Sequence, residues 1–274
     1  MRERPPTFRI NRNSTLAKGL VFAGLGGGAG TLMYADASGY GNHGTLTNMD
    51  PPTDWVWVPE LGRWALDFDG TDDYVALAQK TPIVGDWSFS VWYSWNPSEN
   101  NSYVLLGSSD NELQRNNIRL RKTSDTDYII IYVYFNDYSS VYWSYFLGGS
   151  KFYGLHNLTL AKNGESHELF LDGVSEGAKT TDKTINWSGL YFNFGATKRS
   201  SPPSYPFLGY IIDPLIYNRI LSPAEIQQLA DPSNVLLSGM IQNPRTKFWP
   251  AVLSASTIRQ PWQLRRHRRM TGAA

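Results

Sequence analysis

One segment late in the chain decides the fold: it comprises residues 209–229, GYIIDPLIYNRILSPAEIQQL. Its first half is apolar and rich in β-branched and aromatic residues, which favours a long strand. Its second half carries a helix start signal. Ser222 can cap the first N–H groups, Pro223 suits the first helical position, and Glu225 completes a capping box. The segment therefore predicts a long strand that leads directly into one short helix.

Two upstream stretches belong to the same pattern. They are residues 36–46, DASGYGNHGTL, and residues 65–75, ALDFDGTDDYV. In this order the three motifs resemble those of the laminin-G-like members of the concanavalin A-like jelly rolls. The resemblance extends over roughly residues 19–230. It implies an all-β fold, a two-sheet antiparallel jelly-roll sandwich with one short C-terminal helix. Pro214 stands where the family usually has Glu, and because proline cannot donate to a sheet ladder we expect a sheet edge or a bulge there.

The middle of the chain alternates as strands do. In residues 86–95 five apolar side chains fall on one face: Trp87, Phe89, Val91, Tyr93 and Trp95. Residues 128–135 alternate in the same way, and Asn163-Gly164 between two apolar runs is a strong hairpin signal. These patterns agree with the sandwich that the resemblance implies.

Charge divides the chain into three parts. We assign residues 1–18 to a basic N-terminal arm, 19–231 to the laminin-G-like jelly-roll domain, and 232–274 to an extended basic C-terminal tail. The arm carries a net charge of +4 and the tail +7, whereas the domain holds 13 bases and 23 acids, a net charge of −10. This division predicts different partners for the ends and for the domain.

Composition excludes several classes of protein. The chain has no cysteine, so neither a disulfide framework nor a thiolate metal site can form. Its apolar stretches fall short of the roughly 20 residues of a membrane span, so we expect no membrane partner. The basic residues before Leu20–Ala23 are similar to the start of a signal peptide, but the glycines of residues 24–30 interrupt the apolar helix that such a peptide needs.

Carboxylates give no sign of catalysis. Glycoside hydrolases among the concanavalin A-like relatives place acids two residues apart along one strand facing a cleft, and retaining hydrolysis needs two carboxyl groups about 5–5.5 Å apart. This sequence lacks that triplet, because Asp67, Asp69, Asp72 and Asp73 fall at turns. We therefore predict that the protein is not an enzyme.

Calcium is the one cofactor that the resemblance implies. Related jelly rolls often hold Ca²⁺ between an early loop and the last strand, and Asp36 and Asp213 match positions that could serve as ligands. The alternative is that Asp36 and Asn42 shape turns through bonds to their own backbone.

Aromatic residues suggest a carbohydrate-binding face. Alternation places Trp92, Tyr132 and Tyr134 on the less apolar sides of their strands, with Tyr142 or Trp143 nearby in sequence. In this fold class such side chains can stack on pyranose rings. The alternative, that they pack under a loop, a second subunit or the arm, is equally open because one sequence does not show which strands are adjacent.

The tail combines aromatic and basic residues, the types that dominate interfaces. Its candidate partner-binding residues are Phe248, Trp249, Trp262, Arg265, Arg266, Arg268 and Arg269. The tail could contact nucleic acid through phosphates, but the chain has no recognisable nucleic-acid module. Docking on an acidic protein surface is at least as well supported, and a solvated tail is the remaining alternative.

Three classes of function can be compared, and the missing acid triplet counts against the last of them. The chain can be a structural protein on the outside of a large assembly such as a phage virion, a secreted carbohydrate-binding or adhesion module outside the cell, or an enzyme. We favour the first, located at the virion surface, because jelly rolls are frequent in viral capsids and the chain resembles laminin-G-like modules of phage virion proteins. The arm and tail would bind other structural proteins, the chain would form a homo-oligomer, and the jelly roll could bind a glycan.

Overall fold

The computed structural model describes residues 9–25, 33–80, 83, 85–95, 102–109, 114–122, 127–134, 140–147, 153–181, 191–197, 205–233 and 240–242. Met1–Gln242 forms one compact unit, and Asn243–Ala274, a second unit, falls outside the described residues. The strands are β1 (Arg9–Ile10), β2 (Leu20–Ala23), β3 (Met33–Tyr34), β4 (Gly44–Thr47), β5 (Trp55–Val58), β6 (Arg63–Asp69), β7 (Tyr74–Lys80), β8 (Trp87–Trp95), β9 (Ser102–Ser109), β10 (Gln114–Lys122), β11 (Asp127–Tyr134), β12 (Ser140–Phe146), β13 (Gly154–Asn163), β14 (Ser166–Leu171), β15 (Val174–Thr180), β16 (Tyr191–Phe194), β17 (Leu208–Tyr217) and β18 (Ile241–Gln242). The helices are α1 (Pro51–Asp54) and α2 (Pro223–Ala230), and a 3-10 turn spans Thr15–Ala17.

Two antiparallel sheets form the sandwich. The first sheet has the order β15-β14-β13-β8-β17-β6-β5, with β2 also paired to β17. The second sheet has the order β12-β11-β10-β9-β16-β7-β4-β3. The predicted fold class, an all-β jelly-roll sandwich with a short helix after its last long strand, is confirmed.

Strand β8 shows how alternation builds the core. Its five alternating apolar residues, from Trp87 to Trp95, all lie in the main hydrophobic cluster between the sheets and are at most 1% exposed. Among the intervening residues, Trp92 donates a hydrogen bond to the Leu229 carbonyl of α2, and Ser88 Oγ accepts one from the Leu221 backbone N–H, just before that helix, at 3.0 Å. One strand therefore joins the core to the layer that covers the first sheet.

Strand β17 contains the bulge that Pro214 predicted. β17 lies in the middle of its sheet, and its register with β8 shifts between Ile212 and Leu215. Asp213 adopts a φ of 46°, and the Pro214 carbonyl accepts a hydrogen bond from the Gly24 N–H at 2.9 Å. Because the bulge removes the need for a ladder donor at residue 214, proline is accommodated inside a central strand.

Helix α2 begins with the predicted capping box. Ser222 Oγ accepts a hydrogen bond from the Glu225 N–H at 3.3 Å, and a Glu225 carboxylate oxygen accepts one from the Ser222 N–H at 2.9 Å. Ile226 and Leu229 lie on the buried face of the helix, against a second apolar cluster on the outside of the first sheet. The helix therefore closes that side of the sandwich.

Two short strands of the first unit, one early and one late in the chain, pair in a small ribbon. β1 pairs with β18, and Arg9 lies opposite Gln242. Leu16 and Met240 are fully buried in the apolar cluster beside α2. Parts of the segments assigned to the arm and the tail thus pack on the sandwich, and the domain boundaries at 19 and 231 stay a prediction.

Candidate functional site

The early loop is held together by the carboxylate of Asp36. One of its oxygens accepts hydrogen bonds from the backbone N–H groups of Ala23 and Ser38, at 3.0 and 2.9 Å. The other accepts from the Ser38 hydroxyl at 2.8 Å and the Asn42 N–H at 2.9 Å. Four donors thus engage a carboxylate that is only 7% exposed, and its observed role is to join the loop to β2.

Asp213 is the other predicted calcium ligand. Its Oδ2 lies 3.0 Å from Nη1 of Arg63, and both side chains are buried. The negative charge of Asp213, after burial itself, also raises the pKa of the Tyr34 hydroxyl. Hydrogen-bond donors and a guanidinium surround these two carboxylates, a setting that does not fit Ca²⁺ between them. Calcium was predicted at Asp36 and Asp213 only, and whether the chain binds Ca²⁺ stays a prediction.

A group of three carboxylates lies at the turn between β6 and β7. Oxygens of Asp69, Asp72 and Asp73 lie within 4.8 Å of one another. Asp73 is buried, and burial, with smaller contributions from neighbouring carboxylates, raises its pKa to about 7. Two of these carboxylates accept hydrogen bonds from backbone groups of the same turn. Asp73 Oδ2 accepts a hydrogen bond from the Asp69 N–H at 2.9 Å, and Asp69 Oδ1 accepts one from the Thr71 N–H at 2.8 Å. The observed role of the Asp69 and Asp73 carboxylates is to shape the turn.

The structure separates Trp92 from the other predicted carbohydrate-binding residues. Trp92 lies in β8 of the first sheet and is 5% exposed. Its indole N–H donates to the Leu229 carbonyl at 3.0 Å, so α2 covers it. Grouping Trp92 with the tyrosines was wrong, because alternation along a strand shows its outward face but not what covers that face.

The three predicted tyrosines lie on neighbouring strands. Tyr132 and Tyr134 belong to β11, and Tyr142 belongs to β12, with Tyr132 directly opposite Tyr142 in the register. The Tyr142 side chain is 61% exposed. The side chains of Tyr132 and Tyr134 fall outside the described residues.

The face around Tyr142 presents further aromatic side chains. Phe146 is 60% exposed, and its ring lies 5.7 Å from that of the half-buried Tyr128. Trp143 and Tyr145, at the alternate positions of β12, face the core instead. We call Tyr128, Tyr142 and Phe146 the aromatic strip. Sequence reasoning missed Phe146, although the alternation of β12 carried the signal.

An arginine extends this face toward the middle of the sheet. Arg119 of β10 lies opposite Ile130 of β11, which in turn lies opposite Ser144 of β12. The Arg119 guanidinium sits 4.2 Å from the centre of the Tyr205 ring, a cation–π arrangement. The second sheet thus has an aromatic strip at its edge and, further in, the buried Arg119 beside the Tyr205 ring.

A second exposed aromatic pair lies on the first sheet. Trp57 of β5 is 45% exposed and packs edge-to-face on Trp64, directly opposite in β6, with ring centres 5.6 Å apart. This pair is smaller than the aromatic strip and lies on a different sheet. It provides an independent site for comparison.

The predicted partner-binding residues of the tail, from Phe248 to Arg269, fall outside the described residues. Among the helices that the structure describes, none has the length and apolar character to span a membrane.

Comparison with known proteins now places the fold. The profile of the Concanavalin A-like lectin/glucanases superfamily, in its laminin-G form, matches residues 69–227, more than half of the chain. The chain belongs to this family. No curated protein matches this chain.

Several solved structures share the fold. The binding domain of botulinum neurotoxin serotype D has a TM-score of 0.59 at 12% identity, covering 78% of this chain and 52% of that one. The binding domain of Paraclostridial Mosquitocidal Protein 1 has a TM-score of 0.58 at 15% identity, covering 80% and 53%. The binding domain of botulinum neurotoxin DC in complex with SialylT has a TM-score of 0.56 at 15% identity, covering 77% and 50%. The chain spans about half the length of these domains, and the likeness concerns the fold alone.

Proposed function

We propose that this chain is a non-enzymatic, glycan-binding module that decorates the surface of a large assembly such as a phage virion. The aromatic strip carries the glycan part of this proposal. Tyr142 and Phe146 are large, exposed and carried by a regular strand whose alternate residues are fixed in the core. Side chains positioned by rigid strands form more precise binding sites than side chains on loops.

The chemistry of the strip suits a sugar. A pyranose ring presents C–H groups on one face and hydroxyls around its rim. Flat aromatic side chains bury the C–H face while the hydroxyls stay in water or reach polar groups at the edge of the site. The exposed Ser144 lies between Tyr142 and Phe146 along β12, and the Tyr142 phenol adds a second hydroxyl to the strip. The strip therefore combines stacking surfaces with short polar groups.

The family and the fold support this assignment. The family is named for lectins as well as glucanases. One fold neighbour was solved in complex with SialylT, and for another, botulinum neurotoxin type C, cell entry depends on two ganglioside molecules. These are properties of the toxins. For this chain they make glycans the first ligands to test.

The decoration part of the proposal rests on charge. A net charge of −10 on residues 19–231 between ends of +4 and +7 suits a displayed domain that is held by its ends. The ends of the compact unit lie side by side in the β1–β18 ribbon, within the layer that includes α2. The aromatic strip lies on the outer face of the other sheet, so display and attachment would use opposite faces.

A glycan array followed by calorimetry tests the proposal. The full chain should bind a subset of neutral or sialylated glycans. Tyr142→Ala and Phe146→Ala should each weaken binding by about tenfold or more, the usual cost of truncating an aromatic anchor. Tyr40→Ala is the matched control, because Tyr40 is also a tyrosine and is 52% exposed on a different surface.

Three results would contradict the assignment. Binding that is unchanged in a Tyr142→Ala/Phe146→Ala double variant would remove the strip from the glycan site. If Trp57→Ala abolished that binding instead, the site would move to the first sheet. The absence of binding across the array would overturn glycan recognition altogether.

A further inference from the structure

Tyr205 has a backbone conformation that its type and its neighbour in sequence disfavour. Among the residues that the structure describes, four other than glycine have a positive φ, and three of these are asparagine or aspartate, which enter that region readily: Asn48, Asp172 and Asp213. The fourth is Tyr205, with a φ of 56°. Pro206 follows it, and a proline pushes the residue before it toward extended backbone with a negative φ. Such residues keep their conformation only where the surrounding structure holds them, and they cluster at ligand-binding sites.

Two contacts hold Tyr205 against the second sheet. Its carbonyl accepts a hydrogen bond from the Val104 N–H of β9 at 3.0 Å. Its ring lies against Arg119 of β10, whose guanidinium carbon is 4.2 Å from the ring centre. Arg119 is 9% exposed, whereas Tyr205 is 39% exposed. The buried guanidinium thus supports the ring from the side of the sheet, and part of the ring stays open to solvent.

The chain on both sides of Tyr205 is seated on the sandwich. Phe207, two residues later, is fully buried, and its N–H donates to the Gly195 carbonyl at 2.8 Å. Upstream, Ala196 lies so close to β9 that a Cβ on Gly107 would collide with the Ala196 carbonyl oxygen. Tyr205 is therefore carried by backbone that the sheet fixes, as a precise binding site requires.

Tyr205 lies on the same face of the second sheet as the aromatic strip. One outward row in register crosses three strands, β10, β11 and β12: Arg119, Ile130 and Ser144. The neighbours of Ile130 along β11 face the core, so this row faces outward, and Ser144 lies between Tyr142 and Phe146 of the strip. β9 is three strand spacings from β12, about 14 Å. The distance from the backbone that carries Tyr205 to the strip is thus longer than one pyranose ring.

We propose that Tyr205 is a second stacking surface of the glycan site, and that this site takes an oligosaccharide whose rings contact Tyr205 at one end and the aromatic strip at the other. The inference rests on the proposed function and names the class of its ligand. A single sugar ring would reach only one of the two surfaces. Arg119 is a positioning residue, because it contacts the Tyr205 ring from the side of the sheet and acts on the sugar only through that ring.

The test uses the full chain and the glycans of the array, grouped by their number of sugar rings, with affinities from calorimetry. Tyr205→Asn removes the ring but keeps a residue type that accepts a positive φ, so binding of glycans with three or more rings should weaken about tenfold. Tyr205→Phe keeps the ring and should retain most of the affinity that Tyr205→Asn loses. Monosaccharides should bind at least tenfold more weakly than the longer glycans. Melting temperatures show that each variant is folded.

A double-mutant cycle tests the role of Arg119. Arg119→Met should weaken binding when Tyr205 is present and have no further effect in the Tyr205→Asn chain, because a positioning residue acts through its partner. An equal loss in both backgrounds would overturn that role. If Arg119→Met fails to fold, the two Tyr205 variants still decide whether the ring contacts the glycan.

The outcomes separate this inference from the proposed function. Binding that the Tyr142→Ala/Phe146→Ala double variant abolishes but Tyr205→Asn leaves unchanged would keep glycan recognition and remove Tyr205 from the site. Tyr205→Phe that binds as weakly as Tyr205→Asn would contradict stacking on the ring. Monosaccharides that bind as tightly as the longer glycans would overturn the spanning ligand. The absence of binding across the array would overturn the proposed function and this inference together.

Discussion

Arg219 holds Glu225 through two charge-assisted hydrogen bonds, from Nη2 to Oε1 at 2.7 Å and from Nη1 to Oε2 at 2.8 Å. The hydrogen bond from Arg219, followed by smaller contributions that include Ser222, lowers the pKa of Glu225 to about 2. The same guanidinium donates to the carbonyls of Thr15 and Lys18, at 3.0 and 2.7 Å. One arginine thus joins the capping box of α2 to the N-terminal turn.

Removing the cap should measurably weaken the fold. We expect Ser222→Ala to reduce the free energy of unfolding by about 1 kcal/mol, because the Glu225 N–H loses its acceptor. Chemical denaturation measures the change, and Thr71→Ala is the control, since Thr71 is exposed at a turn. That control should stay within about 0.5 kcal/mol of the native chain. Equal stability of the two variants would show that Ser222 contributes nothing to the helix.

Two buried groups should give the stability opposite dependences on pH. Burial, with a smaller effect of Lys162, lowers the pKa of His167 from 6.5 to about 4. Its imidazole stacks on the Trp143 ring with centres 4.7 Å apart. As the pH falls, His167 is protonated in the unfolded chain near pH 6.5 but in the folded chain only near pH 4. The free energy of unfolding therefore decreases as the pH falls from 6.5 to 4. Asp73 has a raised pKa, so the folded chain takes up its proton first, and stability falls as the pH rises from 3.8 to 7.

The two effects oppose each other, each with a magnitude on the order of 3 kcal/mol, since one unit of pKa shift is worth about 1.4 kcal/mol. Between pH 4 and 6.5 they should largely cancel. His167→Phe should therefore make the variant more stable at pH 4.5 than at pH 6.5, and Asp73→Asn should give the reverse slope. Denaturant midpoints across this pH window supply the measurement. Parallel profiles for the native chain and both variants would contradict the assignment.

Hydrolysis should be absent. Asp73 has the raised pKa of a general acid and lies near two other carboxylates. Its carboxylate, however, already accepts a hydrogen bond from the Asp69 N–H of the same turn, which gives it a structural role. Incubation with β-glucan, agar and chitin should release no reducing ends. The informative variant is Asp73→Asn. Turnover by the native chain that this substitution abolishes would make the turn a catalytic site.

Patterns among neighbouring residues predicted the fold well. Contacts between residues that lie far apart in the chain could not be predicted from them. The faces of β8, the bulge at Pro214 and the cap at Ser222 follow from neighbouring residues, and all three are confirmed. Trp92 was misplaced because its cover comes from α2, well over 100 residues later in the chain. For Asp36, the alternative of a turn-shaping carboxylate is the one that the hydrogen bonds show. A single strand therefore reveals which way a side chain faces, but not what lies above it.

The last prediction concerns the proposed attachment of the protein to a large assembly through its two ends. We expect a chain cut to residues 9–242 to fold and melt cooperatively, because it keeps the β1–β18 ribbon and the buried Leu16 and Met240. A chain cut to residues 19–232 loses these contacts and the turn that Arg219 holds, so it should melt at a lower temperature. Calorimetry compares the two truncated chains with the full chain.

The 9–242 chain should nevertheless fail to join the particle. It lacks Arg2 and Arg4, and it lacks all seven bases of residues 243–274 together with Phe248, Trp249 and Trp262. Tagged full-length and 9–242 chains, produced in cells that assemble the particle, can be compared by their occupancy in purified particles. The full-length chain is the control for the tag. A folded 9–242 chain at normal occupancy would show that the sandwich attaches itself, and the charge division would then need another explanation.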